Sequence, residues 1–178
     1  MFEDKWLIWK LKQGSSDALC RVYNKYKTNM LALATALSND KSLAEDIVHD
    51  CFVSFAQCCG RLQLKSSLKS YLLTSIANRV RNSVRDKVKS ALDIDELEIA
   101  DSNSNQPHNE AMNNERVLTI NSALKQLSYK QREIIILHLL SNLKFKEIAQ
   151  SQKVSINTIQ SRYRYGIDKL RTILDGKV

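Results

Sequence analysis

The sequence predicts an all-α protein made of two small helical domains joined by a flexible acidic linker. Its 178 residues include only 4 glycines and 1 proline, too few for the many turns of an all-β fold. Apolar residues recur at steps of three and four along most of the chain, which is the period of a helix with one buried face. That pattern is interrupted once, and the predicted domains are therefore residues 1–92 and 115–178, with a linker at 93–114.

The first domain begins with a short helix and continues into a long one. Gly14 is predicted to end the short helix and Ser16 to cap the next. The stripe expected to be buried on the long helix consists of Leu19, Val22, Tyr23, Tyr26, Met30, Leu33 and Leu37. This spacing places all seven side chains on one side of the helix.

A second long helix is predicted after Ser42, because Ser42 and Glu45 have the spacing of a capping box. Its predicted buried stripe is Ile47, Val48, Cys51, Phe52 and Phe55. The opposite, exposed flank then carries Glu45, Asp46, His49 and Asp50.

A third long helix follows a loop over residues 58–66 and has a strongly basic surface. Its apolar residues repeat every four positions: Leu68, Leu72, Ile76, Val80, Val84 and Val88. All charged residues from Lys65 to Lys89 except Asp86 are positive, and Tyr71, Asn78 and Asn82 lie among them. Such a surface suits phosphate contacts, although a run of charge on a helix is often only a solvated face.

The predicted linker is distinguished by its charge. Residues 1–92 carry 15 Lys and Arg against 8 Asp and Glu, and residues 117–178 carry 11 against 4. Residues 93–116 carry 1 against 7 and include the single proline. Two basic domains therefore flank an acidic segment that has too little apolar surface to fold alone.

The second domain is predicted to end in a helix-turn-helix. Ser128 caps a mostly apolar helix, and a short helix over residues 145–152 follows. Lys153 takes the turn position usually given to glycine, Val154 fills the core and Ser155 caps the last helix. Ala149 and Ile159, ten residues apart, are expected at the place where the two helices cross.

The outer side of the last helix carries hydrogen-bonding side chains: Asn157, Thr158, Gln160, Ser161, Arg164 and Tyr165. A solvated helix would more often expose Lys and Glu, which this side lacks as far as Tyr165. Polar side chains near a helix N-terminus are those that read base edges in the major groove. The formal net charge of +8 also favours an acidic partner.

Other classes of function receive little support from the sequence. The chain has no glycine-rich phosphate loop, no nucleophile elbow and no metal-ligand spacing among its 4 Cys and 3 His. We therefore predict no enzyme, no cofactor and no metal. No apolar run approaches the roughly 20 residues of a membrane helix, and the N-terminus is unlike a secretory signal, so a cytoplasmic protein without membrane insertion is expected.

Taken together, the two domains resemble the extracytoplasmic-function sigma factors, which are bacterial transcription initiation subunits. The stretch LKQLSYKQREIIILHLLSNLKFKEIAQSQKVSINTIQSRYRYGIDKLR is similar to their region 4. In the N-terminal half, DKWLIWKLKQGSSDAL, AEDIVHDCFVSF and SYLLTSIANRVRNSVRDK are similar to region 2. The ordered pair of regions is a more specific signal than a helix-turn-helix alone.

The resemblance implies three sets of contacts and a set of partners. The minus-thirty-five element would be bound by Ser155, Asn157, Thr158, Gln160, Ser161, Arg162, Arg164 and Tyr165. The minus-ten strand would be bound by Arg61, Lys65, Lys69, Tyr71, Asn78, Arg79, Asn82 and Arg85. Core RNA polymerase, through the clamp helices of its largest subunit, would be contacted by Glu45, Asp46 and Asp50. Promoter DNA is thus an implied partner, and an anti-sigma factor is a further one.

The main alternative is a transcriptional regulator that acts without polymerase, with an N-terminal sensing or dimerisation domain. Such a domain has no reason to carry the basic third helix, which favours the sigma factor.

Overall fold

The computed structural model of the chain describes residues 2–62, 64, 67–92 and 119–176, and these fall into two compact units, Met1–Ala100 and Asp101–Val178. The first unit contains α1 (Phe2–Lys12), α2 (Ser16–Ser38), α3 (Lys41–Cys58), a 3-10 turn (Cys59–Arg61) and α4 (Leu68–Leu92). The second contains α5 (residues 119–125), α6 (Tyr129–Leu139), α7 (Phe145–Gln152) and α8 (Ile156–Asp175). The prediction of an all-α fold is confirmed, and the predicted linker at 93–114 lies outside the described residues.

The core of the first unit lies among α2, α3 and α4, which pack on one another in all three pairings. The predicted stripe of α3 is buried completely, and on α4 Leu68, Leu72, Ile76 and Val80 are buried as expected. Val84 is only half-buried, and the side chain of Val88 lies outside the described residues. On α2, Leu19 and Tyr23 are only half-buried, because they lie at the edge of the stripe rather than at its centre. The edge position of Tyr23 lets its ring meet Phe52 of α3 edge-on, with centroids 4.7 Å apart.

Two predicted helix caps were wrong by one or two residues. The cap of α2 is Ser15, whose hydroxyl accepts from the N–H of Ala18 at 3.3 Å, and not Ser16. The cap of α3 is Asp40, whose carboxylate accepts from the N–H of Leu43 at 3.0 Å, and not Ser42. Asp40 takes this role because Asn39, in a left-handed conformation at φ 56°, turns the chain immediately before it.

Replacing Asp40 should therefore destabilise the first unit more than replacing Ser42. We expect Asp40→Ala to lower the free energy of unfolding by about 1 kcal/mol, the usual effect of losing an N-cap. Ser42→Ala, inside the helix and exposed, should change it by less than about 0.5 kcal/mol. Chemical denaturation of the two variants tests this. A larger loss of unfolding free energy for Ser42→Ala would show that Ser42 caps α3 after all.

Helix α1 is attached to α2 by both apolar and polar contacts. Leu7 and Leu11 are buried. The ammonium of Lys25 lies 2.6 Å from Glu3 and 2.8 Å from Asp4, and the hydroxyl of Tyr26 donates to Asp4 at 2.9 Å. Burial acts to raise the pKa of Asp4, but the hydrogen bonds from Lys25 and Tyr26 outweigh it and hold that pKa below its usual range.

This network should make the first unit sensitive to acid. Because the pKa of Asp4 is lowered in the folded chain, the stabilisation that its carboxylate provides is present above the unfolded pKa of about 3.9 and is lost as the pH falls further. Asp4→Asn should cost about 1 kcal/mol at neutral pH, and the difference from wild type should shrink below about pH 4. Thermal unfolding across pH measures it, with the exposed Glu3→Gln as a milder comparison; a cost that persists at low pH would exclude the carboxylate as its source.

The second unit is held together where α6, α7 and α8 meet. His138 of α6 stacks on Phe145 of α7 with ring centroids 4.2 Å apart, and both rings meet Tyr163 of α8 at 5.2 Å. Gly166 permits α8 to approach α6 closely, since a Cβ there would lie 2.8 Å from a methyl carbon of Ile135. The predicted cap at Ser128 is confirmed, with a reciprocal capping box to Gln131.

Candidate nucleic-acid interface

The helix-turn-helix predicted from the sequence is formed by α7 and α8. Ala149 and Ile159 are buried where the helices cross. Lys153 adopts the left-handed conformation at φ 54°, at a cost of about 1 kcal/mol for a residue with a Cβ. Ser155 caps α8 by accepting from the N–H of Thr158 at 3.1 Å. Val154 is only half-buried, so the prediction that it fills the core was too strong.

The predicted contact residues of α8 divide into exposed and constrained side chains. Those fully on the surface are Ser155, Asn157, Gln160, Arg164 and Tyr165. The others, Thr158, Ser161 and Arg162, are half-buried. The hydroxyl of Thr158 pairs with that of Ser155 at 2.8 Å, and Arg162 donates to the side-chain oxygen of Gln152 at 3.5 Å.

One exposed residue on this surface was missed by the sequence reasoning. Ile156, at the first position of α8, is 43% exposed although it is aliphatic. Its position beside the capping residue Ser155 is the signal that could have found it, because the first turn of a recognition helix faces the DNA.

A cavity of about 330 Å³ lies between α3 and α4. It brings together four of the residues predicted to bind the minus-ten strand: Tyr71, Asn78, Arg79 and Asn82. The rest of its lining is Cys51, Ser54, Phe55 and Ser75. Each helix contributes one aromatic ring, Phe55 from α3 and Tyr71 from α4, and the rest of the lining is mostly polar, as in a site that holds a flat ring with hydrogen-bonding edges.

The positive charge of this cavity comes from Arg79. Its guanidinium donates to the hydroxyl of Ser54 on α3 at 2.5 Å, which holds this half-buried side chain across the cavity. Burial raises the pKa of Cys51 to about 11 and that of Tyr71 to about 12, so both remain uncharged at neutral pH. The Tyr71 hydroxyl lies 3.7 Å from the thiol of Cys58.

The remaining basic residues of the predicted minus-ten surface lie around this cavity's helices. Arg61 is exposed in the 3-10 turn, Lys69 is half-buried on α4, and Arg85 is exposed with its nitrogen 3.5 Å from the carboxylate of Asp86. Arg81 donates to the side-chain oxygen of Asn78 at 2.8 Å, which fixes the orientation of that amide. Lys65 lies outside the described residues.

The acidic residues of α3 form a separate exposed surface. Glu45, Asp46 and Asp50 all face solvent, together with His49. Beside them, between α2 and α3, is a mainly apolar groove of about 470 Å³. Its lining residues are Leu19, Cys20, Tyr23, Asn24, His49, Phe52, Val53 and Ala56. Charge next to apolar surface is the composition of a protein-binding patch.

The described part of the chain contains no group of three or more His, Cys, Asp or Glu side chains placed to hold a metal ion. Across the same residues, no helix combines the length and apolar character needed to span a bilayer.

Comparison with known proteins identifies the family. Residues 22–90 match the family model for sigma-70 region 2, and residues 118–170 match the model for sigma-70 region 4. Together these matches cover more than half of the chain, in the order in which the two regions were predicted. The chain belongs to the sigma-70 family. The predicted sigma factor is therefore confirmed, and the N-terminal half of this sigma factor is region 2 rather than the sensing domain of a separate regulator.

Solved structures share the fold of this sigma factor. CnrH, in complex with the cytosolic domain of CnrY, is 16% identical, with a TM-score of 0.73 and 99% of each chain covered. The sigma factor RpoE from Bartonella quintana, in complex with the anti-sigma factor NepR, is 23% identical, with a TM-score of 0.66 over 87% of this chain and 97% of that one. No curated protein sequence matches the chain significantly. As a sigma factor, the protein binds core RNA polymerase and directs transcription initiation at promoters.

Proposed function

We propose that this sigma factor works in the cytoplasm, that it holds promoter DNA at two places, and that it binds polymerase through a third surface. The predicted domains, 1–92 and 115–178, would each supply one DNA contact. Catalysis belongs to the polymerase, and this subunit supplies positioning and strand opening. The observation that carries the proposal is the exposed polar face at the start of α8, within the segment that matches region 4.

The start of α8 is proposed to read the minus-thirty-five element in the major groove. Asn157, Gln160 and Arg164 are exposed and have donors and acceptors suited to base edges. Tyr165 and Ile156 add apolar surface, which suits a thymine methyl group. Arg162, tied to Gln152, is better placed to hold the turn or a phosphate than to reach a base.

The cavity between α3 and α4 is proposed to receive an unstacked base of the minus-ten strand. Taking a base out of the duplex costs stacking and pairing energy, and a matching site offsets that cost. Tyr71 and Phe55 supply ring surface, and Asn78, Asn82 and Arg79 supply hydrogen-bonding groups. Arg61, Lys65, Lys69 and Arg85 would then hold the phosphates on either side.

The acidic face of α3 is proposed to contact the clamp helices of the largest polymerase subunit through Glu45, Asp46 and Asp50. Their exposure supports this assignment, as does the apolar groove beside them, because polymerase binding needs both steering charge and buried apolar area.

An anti-sigma factor is proposed as a regulatory partner. The support is that the two solved structures compared above are complexes, RpoE with the anti-sigma factor NepR and CnrH with the cytosolic domain of CnrY. A partner of this kind would keep one or more of the three surfaces away from polymerase and DNA.

Transcription by purified core polymerase on a genomic library tests the proposal. Adding the full-length protein should produce transcripts that start at a small set of sites sharing two upstream elements. Transcripts no different from those of core polymerase alone would overturn the promoter-binding assignments. The same experiment identifies the two elements for the measurements described below.

A further inference from the structure

Helix α1 exposes two tryptophans that none of the three proposed surfaces uses. Trp6 is 42% exposed and Trp9 is 55% exposed. They are the only tryptophans of the chain. Large exposed aromatic side chains close together usually indicate a binding surface, because water is a poor environment for them.

The two indoles are carried on a rigid support. Leu7 and Leu11, on the other side of α1, are buried, and the Lys25 ammonium joins α1 to α2 through Glu3 and Asp4. The rings are therefore exposed on a helix whose own apolar side is already packed. Exposure of the indoles is a property of the folded unit and not of a frayed end.

Positive charge surrounds the rings. The Lys10 ammonium lies 5.6 Å from the Trp6 ring centroid and 5.8 Å from that of Trp9, and the Arg21 guanidinium lies 5.1 Å from Trp6. Arg21 has only a long ion pair, 3.9 Å from Glu3, and no ion pair of Lys10 is found within the described residues. Aromatic rings with cations beside them are the combination that binds single-stranded nucleic acid.

The position of α1 connects this surface to the proposed minus-ten site. Helix α1 packs against the 3-10 turn Cys59–Arg61. The residue before that turn, Cys58, touches Tyr71 in the wall of the α3–α4 cavity. A strand that left the cavity over this turn would therefore approach the helix that carries the indoles.

We propose that Trp6 and Trp9, with Lys10 and Arg21, form a stacking surface for single-stranded promoter DNA next to the minus-ten site. The inference rests on the proposed function, since only an opened promoter offers unpaired bases there. A duplex has no free base faces for the indoles, so the surface would stabilise the open complex and contribute nothing to closed, double-stranded binding.

Intrinsic fluorescence of the full-length protein tests binding directly, because every tryptophan signal comes from this surface. A short single-stranded thymidine oligonucleotide should quench the emission in a saturable way. A duplex of equal length, inorganic polyphosphate and phosphatidylglycerol vesicles should each quench this emission at least about fivefold less, since they lack accessible bases, even where a duplex binds at α8. The proposal would be wrong if polyphosphate quenched the emission as strongly as the oligonucleotide, because the surface would then bind charge alone. It would also be wrong if vesicles quenched more strongly, which would indicate a lipid-binding surface, or if the oligonucleotide did not quench at all.

A second test uses the holoenzyme on a promoter that the wild-type protein transcribes. The double variant Trp6→Ala with Trp9→Ala should shorten the half-life of the open complex at least about fivefold. Trp6→Phe with Trp9→Phe, which keeps aromatic rings, should recover most of the loss. Binding to an upstream duplex fragment should be unchanged in both variants, and thermal unfolding checks that each is folded.

Lys10→Glu gives a variant that keeps both indoles and should shorten the half-life in the same direction. This inference would be wrong if the double alanine variant and Lys10→Glu both had open-complex half-lives equal to wild type. That result would leave the proposed function intact. Failure of the wild-type holoenzyme to transcribe would instead overturn the proposed function itself.

Discussion

Arg164→Ala should weaken holoenzyme binding to the cognate upstream element about 5- to 150-fold, or about 1–3 kcal/mol, and have much less effect on unrelated DNA. Arg164 is exposed on α8, and its guanidinium lies 5.4 Å from the ring centroid of Tyr165. That ring limits the conformations of the arginine before DNA binds, so less entropy is lost on contact. Competition binding on cognate and scrambled duplexes measures the effect.

Arg171→Ala is the matched control for this prediction. Arg171 lies on the same side of α8 two turns further on, is exposed, and has a weak ion pair to Asp168 at 3.9 Å. Since the start of a recognition helix reads the bases, Arg171→Ala should not change the preference for the cognate sequence. A loss for Arg164→Ala that is equal on all duplexes would show a phosphate contact and remove Arg164 from base reading.

Features with local causes could be predicted well from the sequence. The helix-turn-helix depends on Ala149 and Ile159, ten residues apart, and on a cap at Ser155, and short-range spacing is enough to place all three. The buried stripes of α3 and α4 follow from helical periodicity in the same way. The errors at Ser16 and Ser42 arose because several neighbouring residues can cap, and the choice among them depends on where the preceding turn ends.

Features that depend on contacts between distant residues could not be predicted. The sequence predicted that Arg79 would be one more phosphate contact. The direction of its side chain is set instead by a hydrogen bond to Ser54 on α3, 25 residues away. The link from Lys25 to Asp4 joins residues 21 apart and depends on how α1 packs on α2. The exposure of Trp6 and Trp9 has the same origin, because an amphipathic pattern does not show which side of a short helix its partner will cover.

The polymerase contact gives the second large effect. Changing Asp46 and Asp50 to Lys together should reduce the affinity for core polymerase at least about tenfold, or about 1.4 kcal/mol. If the clamp helices present positive charge to this surface, reversal replaces attraction with repulsion, which costs more than simple loss of charge. A pull-down or fluorescence titration with core polymerase alone measures this without any contribution from DNA.

The fold should survive this change, which makes the experiment interpretable. Asp46 and Asp50 are four residues apart on α3 and both exposed, so they already repel each other, and two lysines would repel to a similar extent. Asp168→Lys with Asp175→Lys on α8 changes the net charge of the chain by the same amount and is the matched control. If both double variants lose affinity equally, the loss is caused by the total charge of the chain. If neither loses affinity, polymerase does not bind at the acidic face of α3. Only a selective loss, strongest at low ionic strength, assigns the contact to α3, because screening weakens exposed charge pairs first.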